Sequence, residues 1–255
     1  MKFRGTHSIA VAAIGGSLAL AIGAGSPAVA QDAPWEFSAT SYLWMSGIKT
    51  KVSPPGTVGS HSVSQSFTDI LKILDGPPIM LAGEVRNGRF GFVGDVIYLP
   101  VASRIDTRNL LFNDGKAKLS TLTVSGIGFY RVADDAAIKA DVGAGFRLWS
   151  ISSKTTLNAA LLPAESAKFD KTFVDPVLAA RVTLSLDDRW SVSGYFDIGG
   201  FDLGKTKVTW QLLGTVNYRA AEWVDLRAGW RHIAVDRGNI AVDVGGPILG
   251  ATFRF

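Results

Sequence analysis

Once the first thirty residues are set aside, the histidines that remain are His61 and His232, and the 255-residue chain contains no cysteine. Without thiols there is no disulfide scaffold, no thiol nucleophile and no thiolate metal centre. Neither histidine has a second imidazole close in sequence, so a zinc centre has little support. His232 is followed by Ile233 and Ala234, and no motif nominates a serine partner for it. A base without an activated nucleophile or water is not a catalytic constellation. Asp106, Asp114, Asp170 and Asp175 fall in or beside expected loops, but their spacing does not match an alternating oxygen-ligand calcium loop. Gly199-Gly200 and Gly245-Gly246 precede no phosphate-binding lysine. These readings lead us to expect no metal, no cofactor and no enzyme.

A different pattern organises the charged residues, which alternate with apolar ones. From Val208 to Tyr218, Val208, Trp210, Leu212, Gly214, Val216 and Tyr218 fall on one face, and Thr209, Gln211, Thr215, Asn217 and Arg219 on the other, with Leu213 the single intruder. Side chains alternate along a strand, so the segment has one greasy wall and one polar wall. Ile138 to Leu148, Val182 to Leu186 and Val224 to Trp230 repeat this pattern, and Phe90, Phe92, Val96 and Tyr98 face away from Asp95. The polar wall thus collects Glu36, Glu84, Arg86, Asp95, Arg131, Lys139, Asp141, Arg147, Arg181, Asp197, Asp225, Arg227, Arg231 and Arg254. Nearly balanced in sign, such a set should pair internally if enclosed.

The elements needed to carry these walls are ten strands, at about 35–47, 79–87, 89–101, 117–131, 136–150, 173–186, 189–202, 206–219, 222–236 and 240–255, with eight or twelve as alternatives. They approach the 9 to 11 residues of a tilted membrane strand. Short links at Asn87-Gly88, 133–135, Asp187-Asp188 and 220–222 alternate with long ones at about 48–78, 103–116 and 152–172. That asymmetry is characteristic of bacterial outer-membrane barrels. The alternating stretch 61–67 is expected to be an extracellular extension with a helical turn at 69–74. Hydrocarbon admits a sheet only when it closes on itself, so the expected fold is all-β, a closed antiparallel transmembrane barrel with its polar wall inward.

At the start of the chain, Lys2, Arg4 and His7 precede an apolar run from Ile9 to Ala24, and Ala28-Val29-Ala30 supplies a small-residue processing triplet. Residues 1–30 are therefore expected to be a cleaved export signal, leaving 31–255 as the barrel domain. Removing them lowers the formal charge from +4 to about +2, which gives no reason to expect nucleic-acid binding.

Trp35, Trp44, Tyr98, Tyr130, Trp190, Tyr218 and Trp223 mark segment ends and are expected at the headgroup girdles. Trp149 would face inward by strict alternation. The last strand changes phase near Gly245-Gly246-Pro247, where a bulge is expected. It closes on Phe253 and Phe255. In these features the chain resembles bacterial outer-membrane β-barrel proteins, in which a terminal aromatic strand is the signal read by the barrel assembly machinery. The segments 35–44, Val174-Asp175-Pro176, 197–201 and Thr209-Trp210-Gln211 are similar to recurring stretches of an uncharacterised proteobacterial family of outer-membrane proteins. That resemblance implies an outer-membrane location, with surrounding lipid and lipopolysaccharide as partners, and it implies no activity. The expected role is structural or surface-interacting. The alternatives are a narrow channel for ions or small solutes, or an outer-membrane lipid-modifying enzyme or protease.

Overall fold

A computed structural model describes residues 34–52, 61–105, 112–159, 164–203 and 205–255. The expected export signal and Asp106 lie outside them. The strands are β1 (Trp35–Trp44), β2 (Gly47–Val52), β3 (His61–Gln65), β4 (Ile79–Asn87), β5 (Phe90–Ile105), β6 (Phe112–Asp134), β7 (Ile138–Ala159), β8 (Glu165–Ser185), β9 (Trp190–Gly200), β10 (Thr206–Ala221), β11 (Val224–Arg237) and β12 (Ile240–Arg254). Each neighbour in the order β1-β4-β5-β6-β7-β8-β9-β10-β11-β12 pairs antiparallel, and β1 pairs back onto β12 through Ser38↔Arg254 to Trp44↔Ile248. The result is a closed barrel of ten staves, because β2 continues the line of β1 along β12 through Gly47↔Gly245 to Val52↔Ile240. Over the part of the barrel that all ten staves share, closure satisfies each stave on both edges, as a sheet in hydrocarbon requires.

Beyond the barrel, β3 adds to β2 as a short extension, followed by helix α1 (Phe67–Lys72). Ser66 and Asp69 close a reciprocal capping box at its start, which meets two orphan amides of the first turn. The helical turn thus begins two residues earlier than expected.

Three staves are much longer than the sequence suggested. β6, β7 and β8 have 23, 22 and 21 residues, so most of the described parts of the expected loops 103–116 and 152–172 are paired strand. The reason is physical: past Leu122, Leu148 and Val174 the outward positions become Ser120, Ser150, Ser152 and Thr172. Outside the apolar belt the outward face turns polar while Leu119, Ile151, Phe169 and Phe173 fall on the other face, so the apolar-out alternation that betrays a membrane strand disappears although the ladder continues.

The bulge expected in β12 is absent. Its register against β11 runs without a shift from Val224↔Phe253 to Arg237↔Ile240. The apolar residues change sides because Ile248 and Val244 pack inward in the loop-side half of the bore, whereas Leu249 and Phe253 face out nearer the turn end. Gly88 supplies a left-handed turn residue (φ 53°) between β4 and β5, a conformation that glycine adopts without a Cβ clash.

Candidate functional site

The bore is the place where polar side chains converge, and they do so in layers. At the turn end, Arg181 reaches across the barrel from β8 to Glu84 on β4, donating from Nη1 at 2.7 Å and Nη2 at 2.9 Å, and also contacts Asp141 at 2.7 Å. Arg86 joins the same two carboxylates at 3.1 and 3.2 Å, and Arg131 Nε donates to Asp141 at 3.0 Å. Arg254 pairs with Asp225. Glu36 and Lys139 do not enter this network. Both are exposed and line a vestibule of about 680 Å³ that opens at the turn end.

The middle layer has two struts. Arg231 on β11 pairs with Asp95 on β5 at 2.5 Å, and its Nη1 donates to Tyr42 Oη at 2.8 Å, while Tyr42 donates to Asp95 at 2.5 Å. Arg147 is fully buried and pairs with Asp197 at 2.5 Å, with Ser125, Thr209 and Gln211 as further acceptors. Gln211 also accepts from Arg231 at 2.9 Å, which links the struts. Opposite charges held this closely offset much of the desolvation that each would suffer alone.

Above the struts the lumen turns apolar. Trp44, Met80, Ile97, Ile233, Val235 and Ile248 form a buried cluster, with Tyr42, Trp149, Leu213 and Val244 packed against it. Trp44, expected at the girdle, is instead 5% exposed inside the bore, because it shares the face of Glu36, Thr40 and Tyr42 along β1. Its indole donates to the Arg231 carbonyl at 3.2 Å, and the Arg231 guanidinium lies over its ring at 5.3 Å. The expectation of a wholly polar lumen is therefore corrected. Leu213, Trp149 and the inward apolar residues of β12 each break simple alternation in the sequence, and together they were the signal of this plug.

The other residues with chemical potential scatter. His232 points to the outer face, stacked on Trp210 at 4.9 Å, with Nε2 3.5 Å from Asp243. His61 lies in β3, where it pairs with Val52 of β2. Asp170 on β8 accepts from Ser152 at 2.6 Å and pairs with Lys168 at 2.9 Å, and the Ser152 hydroxyl holds its carboxyl below the usual value. Asp114 accepts from Asn158 at 2.5 Å. Asp175 is fully buried in the lumen, where neither oxygen finds a hydrogen bond and Arg237 stands 3.9 Å away. Among the described residues, no three His, Asp or Glu gather closely enough to hold a metal ion. Trp35, Trp190 and Trp223 are exposed at the turn end, paired with Phe37, Tyr218 and Phe253 respectively. Tyr130 packs edge-on against Phe90 on the same outer face, Tyr98 lies on that face toward the loop end, and Phe255 is 81% exposed.

No protein-family model matches the chain, and no curated protein sequence matches it. Among solved structures, it is similar in fold to the outer membrane protease OmpT from Escherichia coli. The identity there is 8%, the TM-score 0.55, and the match covers 87% of this chain and 97% of that one. The translocator domain of the autotransporter NalP from Neisseria meningitidis gives 10% identity and a TM-score of 0.43, with 87% and 88% covered. The attachment invasion locus protein Ail of Yersinia pestis gives 11% and 0.35, with 88% and 99% covered. The first of these supports the closed antiparallel barrel, and at such identities the likeness extends to fold alone.

Proposed function

We propose that this chain is an outer-membrane barrel with a structural or surface-interaction role, exported through the signal in residues 1–30, and that its bore does not conduct. The observation that carries the reading is the serial obstruction of the lumen: the Arg181–Glu84 bar, the Arg231–Asp95 and Arg147–Asp197 struts and the Trp44 plug. Barrels that enclose an aqueous channel have 16 to 18 staves, and with ten the side chains meet across the centre. What the molecule presents to its surroundings is the tall sheet of β6, β7 and β8 together with α1. On this reading Trp35, Tyr98, Tyr130, Trp190, Tyr218 and Trp223 rest at the headgroup levels, lipid and lipopolysaccharide surround the belt, and Phe253 and Phe255 guide assembly.

Purified barrel in a planar bilayer is expected to give no steady conductance. A stable, solute-selective current would replace this reading with that of a narrow channel. For the alternative of a lipid-modifying enzyme or protease, the neighbours of His232 are Trp210 and Asp243, with no serine placed against it among the described hydrogen bonds.

A further inference from the structure

Below the plug the lumen widens into a chamber of about 180 Å³. It shares Ser38, Glu84, Arg181, Thr183, Ser193 and Arg227 with the turn-end vestibule, so the two spaces adjoin at the level of the Arg181–Glu84 bar and Arg227. Leu213 and Ile248, both part of the plug region, stand at its far wall. The chamber has two characters. Val93 and Ile127 on β5 and β6 make an apolar wall, while Arg227 supplies a cation from β11 in the opposite arc, between the staves that carry Leu213 and Ile248.

Arg227 differs from its inward neighbours. Arg86, Arg131, Arg147, Arg181, Arg231 and Arg254 each have a carboxylate partner. Among the described residues Arg227 forms no ion pair, and its buried Nε has no hydrogen-bond partner. The two carboxylates of the chamber are already engaged, Glu84 by Arg181 and Arg86, and Asp95 by Arg231 and Tyr42. One positive charge is thus left over at the junction of chamber and vestibule, with its Nε buried and unpartnered, an arrangement that favours an incoming anion.

We propose that this chamber binds a small organic monoanion, a carboxylate on a compact apolar body, with the carboxylate on Arg227 and the body against Val93 and Ile127. A guanidinium presents a planar fork that suits a carboxylate. Size agrees: an apolar cavity of about 150 Å³ accommodates benzene, and this one is about 180 Å³. The proposal rests on the closed-lumen reading, because an open bore would leave the chamber without its far wall.

The test uses the purified barrel in detergent micelles, titrated with benzoate and, separately, with benzyl alcohol as an uncharged probe of similar bulk, followed by saturation-transfer NMR. Benzoate should bind saturably, at least about tenfold more tightly than benzyl alcohol, as a charge-assisted hydrogen bond implies. Arg227→Gln should lose at least that factor. Val93→Phe, which fills the chamber from across the bore and leaves Arg227 intact, should lose it too. Heat-dependent gel mobility identifies folded variants, and if neither folds the two probes on the native barrel still decide. Absence of saturable benzoate binding, equal binding of benzyl alcohol, or unchanged benzoate affinity in either folded variant would overturn the assignment. A steady conductance in the bilayer experiment refutes the closed lumen instead, so the two failures are separable.

Discussion

Arg147 and Asp197 are both fully shielded from solvent and meet at 2.5 Å, with Tyr195 donating to the same carboxylate at 2.6 Å. Removing one member of such a pair leaves an uncompensated charge, a loss of about 3–5 kcal/mol. Asp197→Ala should therefore lower the midpoint of urea unfolding in lipid vesicles, followed by tryptophan fluorescence. Replacing both partners, Arg147→Met with Asp197→Leu, should restore much of that loss, since an apolar pair of similar volume avoids desolvation altogether. If the double replacement is as damaging as the single one, the pair is not what stabilises this layer. The charged members of the struts were legible because they alternate with apolar residues along each stave. Tyr42, Tyr195 and Gln211 were not nominated as their partners, since an aromatic or amide on the polar wall does not by itself declare a long-range contact. Trp44 misled for a related reason: an indole near a strand end suits a girdle as well as a packed lumen, and the face it shares with Glu36 decides between them.

The turns and staves carry their own tests. Between β8 and β9, Asp187 accepts from the amides of Arg189 and Trp190, both at 2.7 Å, and these hydrogen bonds hold its carboxyl below the ordinary 3.8. A carboxyl lowered in the folded state adds stability that is fully present above its unfolded value and is lost as pH falls through the lower, folded value. The Arg189 and Trp190 amide resonances should shift together in that acid window and stay unshifted through it in Asp187→Ala; shifts that persist in the variant would exclude this cause. Glycines at stave contacts give a sharper contrast. A Cβ on Gly145 or Gly229 would run into the carbonyl of Gly126 or Gly214 on the adjacent stave, whereas at Gly94 nothing lies within 4 Å. Gly145→Val or Gly229→Val should cost about 1–3 kcal/mol by overpacking and reduce the yield of heat-modifiable barrel, with Gly94→Val close to native. Equal yields from all three would show that the backbone has room to adjust. The stave ends inside the apolar belt were readable from period-two patterning. The upper reaches of β6, β7 and β8 were not, because the outward positions there are Ser, Thr, Lys and Asp, and the few apolar residues, Leu119, Ile151, Phe169 and Phe173, fall on the other face.

At the scale of the whole molecule, the number of staves and the placement of both described chain ends on one side follow from parity and from the alternation of short and long links. The closure of the bore did not follow, because it is assembled from residues that looked like isolated exceptions on separate strands. Trp44, Arg231 and Asp95 make this concrete. The Arg231 guanidinium lies over the Trp44 ring at 5.3 Å and reaches Asp95 across the bore at 2.5 Å, so plug and strut obstruct the same path one behind the other. Obstructions in series must all be removed before solvent is continuous. Trp44→Ala alone should remain silent in a planar bilayer, since the strut persists, and Arg231→Ala with Asp95→Ala should also remain silent, since the plug persists. The triple variant should stay silent as well, provided gel mobility shows a folded barrel, since the Arg147–Asp197 strut and the Arg181–Glu84 bar persist. Removing the charges in pairs limits the penalty of a stranded ion, and the remaining backbone ladder keeps the barrel closed at its edges. Current through either partial variant would mean that the two layers do not block independently, and current through the folded triple variant would show that the Arg181–Glu84 bar, closed by a 2.7 Å hydrogen bond at the turn end, is no barrier.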